Sequence, residues 1–178
     1  MRLSESGRMI ISNSCASRRG KMAAAKFEKR KAVTLAYIEY VGGYGSIPFD
    51  KYIPRLYEWV SKQKKVMPGF YPICTFYSDP KATPPEKCRA DIGITVKGAV
   101  KPEGDIKIRK LPAMTVATLS HKGPGSEYQK SYDTLARFIL DKGYMMTGPP
   151  MEIYAKKPEM VDGKLILYAK IMFPVKKK

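Results

Sequence analysis

Val33-Thr34-Leu35-Ala36-Tyr37-Ile38-Glu39-Tyr40-Val41-Gly42-Gly43 has a second version later in the chain, Met114-Thr115-Val116-Ala117-Thr118-Leu119-Ser120-His121-Lys122-Gly123-Pro124. Each run alternates in the manner of a half-buried strand, and each is stopped by glycine. The match continues outward on both sides of the intervening helices. Leu56-Tyr57-Glu58-Trp59-Val60 meets Leu135-Ala136-Arg137-Phe138-Ile139, Phe76-Tyr77 meets Ile153-Tyr154, and Ala90-Asp91-Ile92 meets Ala169-Lys170-Ile171. Residues 33–96 and 114–175 therefore follow one order of elements, with an offset that drifts only from 81 to 77. Solenoid repeats run about 20–50 residues, so this longer period predicts one small α+β unit, duplicated and fused, with a cleft between its halves.

Each unit reads as strand, glycine turn, helix, strand, hairpin, strand. The helices are predicted over roughly 47–63 and 126–142 from their apolar stripes, Ile53, Leu56, Trp59, Val60 and Tyr128, Tyr132, Leu135, Phe138, Ile139. Pro54 marks a start or a kink in the first, which places its beginning near Tyr52. On the first strand, Ala36, Ile38 and Tyr40 form the face suited to a helix, with Leu35, Tyr37 and Glu39 opposite. Thr75 and Tyr77 share a face, as do Glu152 and Tyr154. In the last strand Ala169, Ile171, Phe173 and Val175 face the core, and Tyr168, Lys170 and Met172 are expected on the side holding Glu152.

Composition narrows the function classes. The chain has 178 residues, 44% of them hydrophobic, enough for one domain with its own core. No apolar run approaches the roughly 18 residues of a membrane span, so no membrane contact is expected. Three cysteines without metal spacing and a single histidine argue against zinc, and no cofactor or metal site is expected. A reduced, cytoplasmic protein is the simplest expectation. The net charge of +17 is concentrated at the ends: residues 1–31 hold nine Lys/Arg against Glu5 and Glu28, and Lys176-Lys177-Lys178 adds three more. Residues 1–25 read as a basic, flexible arm ahead of a domain over 26–178, with repeats at about 30–98 and 106–176. Such tails allow weak, nonspecific nucleic-acid contact.

Three further runs are specific. Tyr77-Ser78-Asp79-Pro80-Lys81-Ala82-Thr83-Pro84-Pro85-Glu86-Lys87-Cys88-Arg89-Ala90-Asp91, Ser120-His121-Lys122-Gly123-Pro124-Gly125 and Gly148-Pro149-Pro150-Met151-Glu152-Ile153-Tyr154 resemble the GyrI-like small-molecule-binding domains. The resemblance covers roughly residues 26–176, with the motifs in family order. It implies two βαββ units with pseudo-twofold symmetry, whose antiparallel sheets enclose a central ligand cleft. It also implies kinship with the effector-binding halves of AraC-type and multidrug-responsive MerR-type transcription regulators, in which a glutamate matching Glu152 reaches cationic, aromatic ligands. The chain departs from the pattern at Gly125, where the family has an aromatic, and a stand-alone form without a DNA-binding domain is expected.

Glu152 lies between Met151 and Ile153 in an apolar strand, where an unpaired charge would cost several kcal/mol. A fold that keeps such a group tends to hold a cation or move a proton with it. Tyr37, Tyr77, Tyr154 and Tyr168 fall on the expected cleft faces of four strands and can wall a flat ligand, while Trp59 can form one further wall or belong to the helix core. His121 reads as structural, Cys74 and Cys88 as small buried hydrophobes, and Arg89 with Asp91 as a same-face pair. The expected function is binding of small planar, cationic or amphipathic compounds, in sensing or sequestration of toxic compounds. The resemblance carries two alternatives. One is a hydrolase that opens cyclopropane-bearing genotoxins with Glu152 as catalytic base. The other is a protein-interaction role such as inhibition of DNA gyrase.

Overall fold

The computed structural model describes residues 24–178, so most of the expected basic arm lies outside the described residues. The alternating runs form strands: β1 (Lys26–Arg30), β2 (Val33–Val41), β3 (Met67–Phe76), β4 (Arg89–Lys97), β5 (Ile106–Leu111), β6 (Met114–Pro124), β7 (Tyr144–Met146), β8 (Met151–Ile153), β9 (Glu159–Val161) and β10 (Lys164–Lys177). Two helices follow the glycine-stopped strands, α1 (Phe49–Ser61) and α2 (Tyr128–Asp141). Helix α1 begins before Pro54 and runs through it. The proline lies only six residues in, so it gives up one hydrogen bond near the helix start and does not displace that start to Tyr52.

All the strands join one antiparallel sheet, in the order β1-β6-β10-β8-β3-β4-β2-β5, with β7 and β9 also on β10. The class is α+β. The path has two four-strand halves that meet where β3 pairs with β8. Strand β1 precedes β2 in the chain but pairs with β6 in the other half, Lys26 opposite Thr118. Strand β5 likewise leaves β6 to pair with β2, Ile106 opposite Ile38.

This exchange dictates the curvature. Only Lys31-Ala32 and Pro112-Ala113 link strands six places apart in the path. A flat sheet would separate them by about 29 Å, at about 4.8 Å per strand. A two-residue link spans only about 11 Å. The sheet must therefore curl until its edges meet. Leu35 of β2, Ile73 of β3, Val116 of β6, Met151 of β8 and Met172 of β10 accordingly form one buried cluster on the inner face.

The helices cover the outer face. Leu56, Trp59 and Val60 of α1 pack on Ala36, Ile38, Ile94, Val96 and Ile106. Leu135 and Ile139 of α2 pack on Ala117, Leu119, Ile171, Phe173 and Val175. Trp59 belongs to this first core, where its indole N–H donates to Glu103 Oε2 at 2.8 Å. Between the two helix cores, Cys74, Ala90 and Ile92 form a third outer cluster with Ile47.

Candidate functional site around Glu152

Strand pairing fixes the face of Glu152. It stands opposite Cys74 on β3 and opposite Ile171 on β10. Directly paired residues share a face, so Glu152 lies on the outer, helix-covered side with Ile171. Tyr168, Lys170 and Met172 point to the inner side. That corrects the expectation that they share the side of Glu152. Curling buries apolar residues on both faces, so alternation alone did not separate inside from outside.

Glu152 is 4% exposed. Its carboxylate accepts from three phenols: Tyr128 donates to Oε2 at 2.7 Å, Tyr154 to Oε2 at 2.6 Å, and Tyr132 to Oε1. Tyr128 and Tyr132 are one helical turn apart on α2, and Tyr154 is two residues beyond Glu152. All three hydroxyls are pushed well above the usual tyrosine range, first by burial and then by the Glu152 charge. Among the described residues, no Lys or Arg forms an ion pair with Glu152. The group is thus a buried carboxylate held by neutral donors, in a setting that supplies no countercharge of its own. Phe49 of α1 closes on the Tyr154 ring edge-on, at 5.5 Å between centroids.

Of the expected site residues, the structure brings Tyr154 to Glu152 and places the others elsewhere. Tyr37 and Tyr77 lie on the inner face around Arg109. The guanidinium sits 4.6 Å from the Tyr37 ring centre, and its Nη1 donates to Asp91 Oδ2 at 2.6 Å and to the Tyr77 hydroxyl. The Tyr77 hydroxyl donates in turn to Asp91 Oδ2 at 2.6 Å, and its pKa is pushed up to about 12 by burial and then by Asp91. Asp91 therefore pairs with Arg109, whereas same-face spacing alone suggested Arg89. Tyr168 donates to Glu159 Oε2 at 2.9 Å beneath the Lys156 ammonium, 4.5 Å from the ring centre. These three rings already hold cations of the chain itself.

His121 is buried. Its Nδ1 is 2.8 Å from Ser131 Oγ and its Nε2 is 3.2 Å from the Gly123 carbonyl oxygen. The ring packs against Tyr128 at 4.3 Å between centroids, bracing one of the phenols that reach Glu152.

Tyr128 and Tyr132 were absent from the expected site because their helical spacing reads equally well as core. A signal was present in their chemistry, since a buried tyrosine hydroxyl needs a partner. Counted back from the matched Leu56 and Leu135, their positions in the first half hold Phe49 and Ile53.

A model of the GyrI-like small molecule binding domain matches residues 24–176. The chain belongs to the GyrI-like family. Among solved structures similar to this GyrI-like chain, the crystal structure of the EcmrR C-terminal domain has 22% identity and a TM-score of 0.70, with 87% of this chain and 98% of that one covered. In the cryo-EM structure of an EcmrR–DNA complex the identity is 20%, the TM-score 0.72 and the coverage 87% of this chain. The match spans 58% of that EcmrR chain. The structure of SAV2435 bound to tetraphenylphosphonium is similar over 86% of this chain and 94% of that one, at 15% identity and a TM-score of 0.50. No curated protein matches the chain. No helix among the described residues is long and apolar enough to cross a membrane.

Proposed function

We propose that this GyrI-like domain is a duplicated βαββ unit whose halves flank a ligand cleft, and that it binds small, planar, cationic or amphipathic compounds beside Glu152. Sensing or sequestration of toxic compounds in the cytoplasm is the role this suits. The observation that carries the reading is the buried Glu152 carboxylate, held by three phenols and, among the described residues, by no Lys or Arg. A bound cation would supply the missing countercharge, and the surrounding aromatic rings would face its flat groups. Since Glu152 is 4% exposed, a ligand reaches it by displacing at least one phenol. SAV2435, similar in fold, is bound to an aromatic cation, which supports the ligand class. Tyr128, Tyr132 and Tyr154 replace Tyr37, Tyr77 and Tyr168 as the rings nearest the charge.

Titration with rhodamine 6G and tetraphenylphosphonium, followed by fluorescence and calorimetry, tests this. Wild type binds, and Glu152→Gln binds about 30-fold more weakly, the scale of one charge-assisted contact. Equal binding by the two proteins, or none by either, sinks the proposal.

The contact between Glu152 and three hydroxyls favours one second reading. The carboxylate would take a proton from water while a phenol donates to a developing oxyanion. That reading requires product release in excess of protein; stoichiometric binding alone rules it out for the compound tried.

A further inference from the structure

The beginning of β3 carries an apolar protrusion that the Glu152 site does not use. Pro68 pairs with Val96, and pairing resumes at Pro72 with Ile94, so Gly69, Phe70 and Tyr71 all oppose the single residue Thr95. Two extra residues bulge outward between two prolines. The base of the bulge is fixed. The Gly69 carbonyl accepts from the Tyr57 hydroxyl at 3.1 Å, and a Cβ on Gly69 would come within 2.0 Å of Thr95 Oγ1. At the tip Phe70 is 93% exposed, with Tyr71 at 52% and Met67 at 67%. The two rings stand 6.5 Å apart.

Cations gather at one end of this bulge. Lys64 and Lys65 precede it and Lys97 pairs with Met67, all three exposed. Residues 62–76 contain no Asp or Glu. A convex apolar tip with lysines at its base narrows the choice of partner. A second copy would bring lysine against lysine. The bulge and both prolines block addition of a strand from another chain. A single nucleic-acid strand would engage the rings and leave Met67 in water.

We propose that this bulge docks on an anionic phospholipid bilayer. Phe70, Tyr71 and Met67 enter the boundary between headgroups and acyl chains, and Lys64, Lys65 and Lys97 meet the phosphates. The expectation of no membrane contact rested on the length of apolar runs. That length tests spanning and says nothing about contact at a surface.

The test is sedimentation of the full chain with vesicles of phosphatidylcholine alone, and of equal parts phosphatidylcholine and phosphatidylglycerol. Binding to the mixed vesicles is expected, weakened by added salt. Partitioning should fall about tenfold or more in Phe70→Ser/Tyr71→Ser and in Lys64→Glu/Lys65→Glu. The side chains are exposed, so near-UV dichroism and the thermal midpoint should stay at wild-type values. No binding by the wild type, or binding of both double variants at the wild-type level, overturns the proposal; the second result assigns attachment to the basic termini. A dimer that Phe70→Ser dissolves overturns it in favour of self-association. Oligothymidylate binding lost in the same variants, without vesicle binding, overturns it in favour of nucleic acid.

Discussion

The two halves of the sheet meet at Cys74 and Glu152, and what surrounds each differs in one respect. Each residue faces the other across the seam and an isoleucine on its far side, Ile92 for Cys74 and Ile171 for Glu152. The second half places Tyr128, Tyr132 and Tyr154 on Glu152. At the same positions the first half has Phe49, Ile53 and Phe76, packed with Cys74. Oxygen is present on one side and missing from the other at every one of these places. A carboxylate and its hydrogen-bond donors thus occur together or not at all, as the cost of an unsatisfied buried charge requires.

The sharpest way to break the comparison is to place a carboxylate in the half without hydroxyls. Cys74→Glu should lower stability by about 3–5 kcal/mol in urea unfolding, since the Tyr154 hydroxyl beside it already donates to Glu152 and that charge lies directly opposite. A loss below about 1 kcal/mol would mean that the apolar surroundings of Cys74 tolerate a charge, and the contrast would lose its meaning.

The second test uses pH. The Tyr128, Tyr132 and Tyr154 phenols are raised in the folded state above the unfolded value near 10, and Tyr77 to about 12. Their contribution to stability is complete below about pH 10 and is lost as pH rises through the folded values. Unfolding free energy should therefore fall from about pH 10 upward, by at most about 1.4 kcal/mol per pH unit for each such phenol. In Tyr128→Phe/Tyr132→Phe/Tyr154→Phe the slope should shrink, leaving mainly the Tyr77 part between about pH 10 and 12. An unchanged slope would show that these phenols are not what the alkaline limb reports.

The smallest effect lies away from the seam. Tyr168→Phe removes one part-buried hydrogen bond to Glu159 and should shift the thermal midpoint by no more than about 2 °C. It should also leave dye binding unchanged, as Tyr168 is on the opposite face from Glu152. A large loss of binding would instead extend the site to the inner face.

Much of this was legible in the sequence. The strand runs, the two helices and the isolated polar residue in an apolar strand all follow from periodicity and glycine placement. The resemblance carried by residues 77–91, 120–125 and 148–154 pointed to the family that the model match over 24–176 shows. Other features lie beyond pattern. Periodicity assigns a strand no neighbour, so the exchange of β1 and β5 left no mark. The sequence match set Thr75 against Glu152, whereas strand pairing sets Cys74 there, a slip of one residue that reverses the face. Helical spacing showed that Tyr128 and Tyr132 were buried but not where their hydroxyls went. The inner-face rings were legible as aromatic, yet Arg109 arrives from an edge strand whose partner only the fold reveals.

The exchanged first strands also govern how the chain must assemble. Lys26 meets Thr118 and Ile38 meets Ile106, so neither half completes its sheet until residues far apart in sequence have come together. Closing such long loops comes before the contacts that reward it, which slows folding relative to locally wired domains. Cleavage between β4 and β5 would therefore release no self-sufficient piece. Each would lack an edge that only the other can lend, and the two should unfold in a single cooperative step.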